Sequence, residues 1–464
     1  MLSFREKRFR SRTRGYFNFF THLPVKRNIL QAIPFWIGSI LTGILAVLYA
    51  KLFNYAESLL VYFMGLNTYL LLFLAPILFL LSYYIVRFLA PNARGSGIPQ
   101  VMAALEISGT KDRAKVNQLL NLKIIFTKIL SSLFMVLGGG AIGREGPTIQ
   151  ISSSIFEWIY SKIPKNWPRL SQRSYILAGA AAGLAAAFNT PLGGIIFAIE
   201  ELAQVHMRYF RTSIFTGVII AGLVAQGLLG PYLYLGYPDV KGINISIIFY
   251  VLMAASLSGI MAIFMGKGIL LIKDWKKNLS PLALAFSIAF MGLIIAVISI
   301  FYNHLILGSG KELLNHSLFS DNKQIKLDTV LVRVIGPILS FNTGGAGGIF
   351  APSLSAGAAI GGFLNSIFHL TGANANILIL SGMVGFLTGI TQTPFTSAIL
   401  VLEMTDEHSI IFYLMVSAFI SSMVCQAFQK HSLYEMLKLD FIKGLEQKET
   451  IIPNSDKKII PINN

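Results

Sequence analysis

The sequence predicts an all-α integral membrane protein with many helices, and its composition and apolar runs carry that prediction. Of its 464 residues, 54% are hydrophobic and 13% are charged, which is about half the charged fraction of a soluble protein. Stretches such as 33–52, 70–90, 247–272 and 282–302 approach the roughly 20 apolar residues that span a bilayer as a helix. One such run could be a buried core helix, but repeated runs at this charge density indicate a membrane protein.

The formal net charge of +17 lies mostly outside these runs, near the two ends of the chain. Residues 1–27 carry eight lysines and arginines against one acid, Glu6. Such a cluster could bind nucleic acid, but a spanning segment follows almost at once. The positive-inside rule therefore favours a cytoplasmic N-terminus beside anionic lipid headgroups and no nucleic-acid partner. The lysines from Lys430 onward predict a cytoplasmic C-terminus too, and hence an even number of crossings.

Several functional classes are disfavoured by what the chain lacks. About 30 polar and basic residues precede the first apolar run, so we expect no cleavable signal peptide. The single cysteine, Cys425, excludes an intramolecular disulfide and a cysteine-based metal site. The seven histidines show no coordination spacing, so we predict no metal and no cofactor. The lack of a regulatory domain favours a prokaryotic source and the inner (plasma) membrane of a bacterium.

An internal repeat organises the chain. Residues 177–200 align with residues 380–403 without a gap, which pairs Pro191 with Pro394, and a glycine-rich block precedes each copy. Small residues at helix contacts could look alike by chance. Two paired blocks in the same order and at nearly the same spacing instead favour two homologous halves.

The repeat predicts four segments along the chain. They are a basic cytoplasmic segment, 1–29, a first membrane repeat, 30–230, a second membrane repeat, 245–440, and a short cytoplasmic tail, 441–464. Two halves with odd numbers of crossings would be oppositely oriented. Inverted repeats of this kind are typical of transporters whose site lies between the halves near mid-membrane.

Three glycine–proline elbows interrupt the apolar runs, at GSGIP (95–99), GREGP (143–147) and GGIFAP (347–352). Within hydrocarbon, irregular backbone persists only inside protein or beside a polar cavity. Proline is tolerated in the first turn of a helix, so each elbow predicts a helix N-terminus at membrane depth. Free N–H groups and the positive end of the helix dipole would attract an anion there without a full basic charge.

In their order and spacing, these elbows resemble those of the CLC family of chloride channels and proton-coupled chloride antiporters. The resemblance continues through GLAAAFNTPLGGIIFAIEE, VLEMTD and a late tyrosine in SLYEML, over residues 30–440. It implies a fold of tilted, unequal and re-entrant helices in two inverted repeats. It also implies a homodimer in which each subunit has its own pathway, with chloride and protons as the transported ions.

Glu145 is the first candidate site residue. A carboxylate at membrane depth costs about 2.5–3.5 kcal/mol on insertion scales, so it is normally functional or paired. Ionised, Glu145 could occupy the anion site itself, and protonated it would release that site to chloride. The alternatives are a structural N-cap or an ion pair with Arg144. The resemblance makes Glu145 the gate and the outer proton acceptor.

The resemblance also implies the chloride ligands. On its own, Ser96 could cap a helix or bind chloride, and Tyr434 could be an interfacial anchor. The CLC pattern makes both hydroxyls chloride ligands, together with the backbone N–H groups of Ile349 and Phe350. An outer anion site would use the backbone of Gly143, Arg144 and Gly146.

Two adjacent acids follow an apolar helix at 192–199. Either could be a solvated helix end, but Glu200 aligns with Glu403, which suggests a structural role shared by both halves. The resemblance places Glu201 at the inner proton relay of CLC antiporters, a position that is apolar in the family's channels.

Two further positions bear on the pathway. Lys128 lies 17 residues before Glu145 in an apolar run, and the resemblance gives it a role in the positive potential of the pathway. Gln100 follows GSGIP where many antiporters have glutamate, which removes one negative charge and leaves the ligand set intact.

Together these features predict a secondary active antiporter that exchanges chloride for protons. The alternative within the family is a passive chloride channel in which Glu201 has no role. A fluoride-selective protein is disfavoured because GSGIP and Tyr434 follow the chloride pattern. The sequence contains no HExxH, GxSxG or Walker A motif, so we do not expect an enzyme.

Overall fold

The structure is a computed structural model that describes residues 23–110, 112–203, 211–230, 233–242 and 245–451. In this part of the chain there is no β-strand, only helices, turns and two isolated backbone bridges. The predicted all-α class is confirmed. Most of the basic N-terminal segment and the end of the C-terminal tail lie outside the described residues.

The described part of the first half contains nine α-helices. They are α1 (Leu23–Leu66), α2 (Leu71–Leu89), α3 (Ile98–Ile107), α4 (Val116–Leu119), α5 (Leu122–Leu137), α6 (Glu145–Lys162), α7 (Gln172–Phe188), α8 (Pro191–Phe197) and α9 (Arg211–Leu229). Their lengths are very unequal, as the glycine-rich interruptions of the sequence predict.

The described part of the second half contains another nine. They are α10 (Ile247–Lys276), α11 (Pro281–Phe301), α12 (Lys311–Phe319), α13 (Leu327–Asn342), α14 (Phe350–Phe368), α15 (Gly372–Thr391), α16 (Pro394–Thr405), α17 (Ile411–Phe428) and α18 (Leu433–Ile451). Helix α18 continues past residue 440, so the tail boundary proposed there stays a prediction.

Seven described helical segments are long and apolar enough to cross a membrane. They are Arg27–Leu66, Thr68–Leu89, Val116–Leu137, Ile247–Lys276, Pro281–Phe301, Gly372–Thr391 and His408–Phe428. Large apolar side chains point outward from them, including Phe73, Phe286 and Phe412, which are 70–76% exposed. Such surfaces are suited to lipid rather than to water.

Local sequence signals set several helix starts. Asn121, Ser171 and Ser280 each accept a hydrogen bond from the backbone N–H three residues later, at 3.0, 3.2 and 3.3 Å. Proline stands in the first turn of α3, α8, α11 and α16. The helix boundaries near the elbows therefore follow from residue types that the sequence displays.

Equivalent helices of the two halves pack in equivalent ways. Helix α6 packs along α7, and α14 packs along α15. Both contacts need glycine: a Cβ on Gly183 would lie 2.0 Å from Ser152 Oγ, and one on Gly357 would lie 2.3 Å from the Gly382 carbonyl oxygen. Small residues let helix backbones approach closely in membrane proteins.

Two glutamates join the halves by capping each other's helices. Glu200 accepts hydrogen bonds from the two N–H groups that follow the first proline of α16, at 3.1 and 2.6 Å. Glu403 accepts hydrogen bonds from the matching N–H groups of α8, at 3.0 and 2.8 Å. Each carboxylate therefore satisfies a helix N-terminus that would otherwise have free donors. The shared structural role expected of this pair is present.

The helix that carries Glu200 differs from its sequence prediction. It does not stay α-helical to residue 199 but passes after Phe197 into a π-helical turn, Ala198–Ala203. The wider turn carries both Glu200 and Glu201. π-turns of this kind occur frequently at functional sites.

Candidate anion-binding site

The three glycine–proline elbows meet at the centre of the molecule. The Gly95 N–H donates to the Gly345 carbonyl at 2.8 Å, and the Gly347 N–H donates to the Gly95 carbonyl at 3.1 Å. Gly143 and Gly348 exchange two backbone hydrogen bonds, at 2.7 and 2.8 Å. Elbows from opposite halves are thus joined directly, although they are far apart in sequence.

Glycine is required where the helix starts crowd together. Gly97 has a left-handed φ of +108°, and a Cβ there would lie 2.8 Å from the Gly146 carbonyl oxygen. A Cβ on Gly146 would lie 2.2 Å from Ser96 Oγ, and one on Gly348 would lie 3.2 Å from the Gly146 nitrogen. The N-termini of α3, α6 and α14 therefore converge, and so do the positive ends of their dipoles.

Glu145 begins α6 at this point and is 1% exposed. Its carboxylate lies close enough to the backbone N–H groups of Glu145 itself and of Ala351, in the first turn of α14, for them to act on it electrostatically. Its second oxygen, Oε2, is buried and has no hydrogen-bond partner among the described residues. No ion pair joins Glu145 to Arg144 in this part of the chain. The carboxylate thus lies among the amides that could hold an anion.

Two buried hydroxyls lie at the same cluster. Ser96 is 1% exposed and does not cap α3, whose N-cap is Gly97 with no side-chain hydrogen bond. Tyr434, in the first turn of α18, is fully buried, so the alternative of an interfacial anchor is wrong. The Tyr434 hydroxyl lies near Ser96, yet neither oxygen has a hydrogen-bond partner of normal geometry in the described residues.

Backbone groups complete the cluster. Ile349 and Phe350 are 0% and 1% exposed and stand at the N-cap and first position of α14. Gly143 and Arg144 precede α6, and one guanidinium nitrogen of Arg144, Nη1, is buried without a partner in the described part. The structure therefore brings the residues of the expected inner and outer anion sites into one region.

Polar side chains hold the GSGIP elbow from behind. The fully buried ammonium of Lys128 donates to the carbonyls of Ala93 and Gly95, both at 2.8 Å. The Gln100 amide donates to the carbonyls of Asn92 and Arg94, at 3.1 and 2.6 Å. Lys128 and Gln100 thus both hold the loop that leads into the GSGIP elbow.

Gln150 is a site-supporting residue that the sequence did not reveal. Its amide lies on α6 and donates to the carbonyls of Asn92 and Leu119, at 3.2 and 3.0 Å. It therefore shares the Asn92 carbonyl with Gln100 and ties α6 to the GSGIP elbow. Its polar character within a buried helix was the only available signal.

Glu201 lies in the π-helical turn and is 5% exposed. Its charged neighbours are Glu200, Glu435 and Lys438, and both Glu201 and Glu145 interact electrostatically with Tyr434. Its Oε1 atom is buried without a hydrogen-bond partner in the described ranges. The charges of both candidate glutamates therefore act on the Tyr434 hydroxyl.

Several candidate site residues have buried polar atoms without a hydrogen-bond partner in the described part of the chain. Buried side-chain oxygens almost always have a hydrogen-bond partner, because an unpaired one costs about 1–3 kcal/mol. Among the buried oxygens that lack a partner in the described residues, four belong to candidate site residues, namely Ser96 Oγ, the Tyr434 hydroxyl, Glu145 Oε2 and Glu201 Oε1. Hydroxyl donors beside converging helix N-termini suit an anion, and buried carboxylates suit protons.

Helices long and apolar enough to span a membrane, with helix N-termini from both halves meeting around buried polar groups, define the class as an all-α, multi-pass membrane protein. The family described as "Voltage gated chloride channel" matches residues 78–426, which is most of the chain. The protein belongs to this family, the CLC family, and the resemblance found in its motifs is confirmed.

Solved structures share the fold over nearly the whole chain. The structure is similar to that of a slow cyanobacterial Cl⁻/H⁺ antiporter, with a TM-score of 0.76, 23% identity, and coverage of 89% of this chain and 97% of that one. It is similar to a CLC-type fluoride/proton antiporter, with a TM-score of 0.73, 18% identity, and coverage of 90% and 99%. It is also similar to a eukaryotic CLC transporter, with a TM-score of 0.70, 20% identity, and coverage of 89% and 74%. The inverted-repeat CLC fold predicted from the sequence is thereby confirmed.

Proposed function

We propose that this protein is a secondary active transporter that exchanges chloride for protons across a membrane. The observation that carries the proposal is the position of Glu145. Its carboxylate lies beside the backbone N–H of Ala351 in the first turn of α14, so it occupies a place in which an anion would use the same amide donors. Protonation weakens the hold of these donors on the carboxylate and opens them to chloride. One group thus serves as gate and as outer proton acceptor.

Chloride binds on the inner side of this gate. The hydroxyls of Ser96 and Tyr434 donate to the ion, since each is buried and lacks another partner in the described part of the chain. The backbone N–H groups of Ile349 and Phe350 donate from the start of α14. Neutral donors bind a halide without the full charge pairing that would prevent its release.

An outer anion site and a background potential complete the pathway. The backbone of Gly143, Arg144 and Gly146 surrounds the position that the Glu145 carboxylate takes when it is ionised. Lys128 holds the GSGIP elbow and contributes positive potential from behind it. The Lys128 ammonium donates its hydrogen bonds to loop carbonyls, so Lys128 attracts the anion through its charge and does not contact the anion directly.

Protons reach Glu145 from the inner side through Glu201. This residue is buried, its Oε1 is unpartnered in the described ranges, and both glutamates interact with Tyr434. A carboxyl in such a position carries a proton where water has limited access. The proton path and the chloride path meet at Tyr434 and Glu145 and separate on the inner side.

The decisive experiment records chloride and pH together in proteoliposomes. At a fixed chloride gradient, an imposed pH gradient should shift the reversal potential, because each transported halide is tied to proton movement. A reversal potential that ignores pH would remove the exchanger and leave the second candidate, a passive chloride channel. Buried Glu201 favours the exchanger, since a channel needs no inner proton carrier.

Two of the similar structures are of a Cl⁻/H⁺ antiporter and a fluoride/proton antiporter, and both support coupled exchange in this chain. Chloride is favoured over fluoride by the Ser96 and Tyr434 hydroxyls. We further place the protein in a bacterial plasma membrane as a homodimer among lipids, with both termini cytoplasmic. Cross-linking in native membranes tests the dimer, and accessibility of tagged termini tests the orientation.

A further inference from the structure

A cavity of about 650 Å³ opens directly beside Ser96. It lies between the ends of α2, α3, α10 and α13 and the C-terminal helix α18. Six cationic side chains line it against a single carboxylate. They are Arg87, Arg94, Lys273, Lys276, Lys277 and Lys443, and the carboxylate is that of Asp440.

The single acid compensates only part of this charge. Asp440 forms a salt bridge with Lys273 and lies 3.9 Å from Lys277, which also pairs with Asp274 at 2.8 Å. The Lys276 ammonium donates to a backbone carbonyl, that of Asn342, so its charge stays uncompensated. The inner end of the cavity is therefore positively charged close to the chloride pathway.

Three more cations remain available at the wall and mouth. The Arg94 guanidinium stacks over the Phe441 ring at 4.8 Å, and among the described residues Arg87 donates to the neutral Tyr83 hydroxyl alone, at 2.9 Å. Lys443 is exposed and makes no ion pair with any described residue. Guanidinium and ammonium groups arranged in this way are the usual partners of phosphate oxygens.

The size of the cavity exceeds what a halide in transit needs. Sites for organic ligands and cofactors typically have volumes of about 300–1,000 Å³, and this cavity falls within that range. A single chloride would also leave most of the positive charge unmatched. A polyvalent anion fits both the volume and the charge.

The outer edge of the cavity borders the lipid-facing surface. Phe88 on α2 and Leu282 and Phe286 on α11 are 70–75% exposed and flank the lining residues Arg87 and Leu284. Clusters of four to eight basic residues at a membrane surface typically bind anionic lipid headgroups. A phosphate group could therefore enter the cavity from solution or from a lipid whose chains pack against these side chains.

We propose that this cavity binds a polyvalent phosphate anion, supplied by a lipid headgroup or by a soluble polyphosphate. Bound there, the anion stands across the approach to Ser96 and slows chloride movement. The binding step is independent of the function proposed above, whereas the inhibition rests on it.

Binding is tested first, by calorimetry on the full-length protein in detergent with inorganic pyrophosphate as the probe. Wild-type protein should bind pyrophosphate, and the double variant Arg87→Gln/Lys443→Gln should bind it at least tenfold more weakly. The matched control is Lys311→Gln/Lys326→Gln, since both lysines are exposed and neither lines the cavity. Equal affinity in the two double variants would overturn the assignment of the cavity.

Chloride flux in liposomes then separates the two phosphate sources. Neutral phosphatidylcholine liposomes receive pyrophosphate on both sides, and a parallel set contains phosphatidic acid instead. We expect slower chloride flux of the wild-type protein in one of the two sets of liposomes, and no slowing of the Arg87→Gln/Lys443→Gln variant there. The set in which this difference occurs identifies the source of the phosphate. No slowing in either arm, with wild-type chloride flux intact, would overturn the inhibitory role. Absence of chloride flux in every sample would count against the proposed function and leave the calorimetry standing.

Discussion

Glu145 and a bound anion would compete for the same amide donors. A single substitution at Glu145 can remove the charge of the side chain while keeping its shape. In Glu145→Gln the side chain keeps its size but stays neutral, so it mimics the protonated gate. We expect chloride flux to persist and coupled proton flux to fall about a hundredfold. Simultaneous chloride and pH recording in proteoliposomes measures both.

The matched control for Glu145 is on the same helix. Glu157 is also a buried carboxylate of α6, but it accepts a hydrogen bond from Gln172 at 2.7 Å, far from the elbows. Glu157→Gln should leave coupling intact. If both variants lost coupling, the effect would not be specific to Glu145, and Glu145 would not be identified as the gate.

Glu201 allows a second test, because its neighbour is an acid with a different task. Glu201→Gln should impair proton flux about a hundredfold while sparing chloride flux, since an amide cannot relay a proton. Glu200→Gln should instead retain coupling, because Glu200 caps α16 and is not on the proposed path. If Glu201→Gln takes up protons normally, the inner relay is elsewhere.

Tyr434→Phe tests whether the hydroxyl is a chloride ligand, because it should lower the chloride affinity without lowering the thermal stability. The hydroxyl is buried without a partner in the described residues, so its removal should leave thermal stability unchanged or raise it. Chloride affinity should fall about tenfold to a hundredfold, which is the worth of a hydrogen bond to a charged group. Calorimetric titration with chloride and thermal unfolding in detergent give the two numbers. Unchanged chloride affinity would exclude the hydroxyl as a ligand.

At the scale of elements, helices α8 and α16 are joined by two reciprocal caps, in which Glu403 caps α8 and Glu200 caps α16. Glu200→Gln and Glu403→Gln should each destabilise the protein by about 0.5–2 kcal/mol, the usual cost of losing an N-terminal cap. The double variant should cost less than the sum, because both caps hold the same pair of helices. Thermal unfolding measures this, with exposed Glu312→Gln as the control. Fully additive losses would show that the caps act separately.

The elements near the site were predictable to different degrees. The three elbows could be predicted because glycine, proline and their spacing have direct backbone consequences. The capping role of Glu200 was suggested by its alignment with Glu403. The π-turn at Ala198–Ala203 could not be predicted, since no residue type specifies it and tertiary contacts decide it.

Contacts that depend on the whole fold were also beyond the sequence. Lys128 acts on carbonyls more than thirty residues earlier in the chain, and Gln150 acts on the same loop from another helix. Nothing local in the sequence names those carbonyls. The basic cavity beside Ser96 is equally a product of assembly, because its lining residues come from six separate helices and the turns beside them.

For the whole molecule, the joined elbows predict that neither half makes a site alone. A chain cut after Gly242, where a Cβ would meet no atom within 4 Å, should reassemble when both fragments are expressed together. Fragments 1–242 and 243–464 should co-purify through a tag on either one, and the pair should bind chloride. Chloride binding by one isolated fragment would contradict a site shared between the halves.

The backbone hydrogen bonds at the elbows also constrain the transport cycle. Many carriers built from opposed halves expose their cargo by rocking one bundle against the other. Here that motion would have to break the paired amides that join Gly95 with 345–347 and Gly143 with Gly348, and each break would leave a buried backbone group unpaired. Opening the ion site costs less free energy if a few side chains move while the helices stay in place. The helix positions of such a carrier would therefore be nearly the same in its two access states.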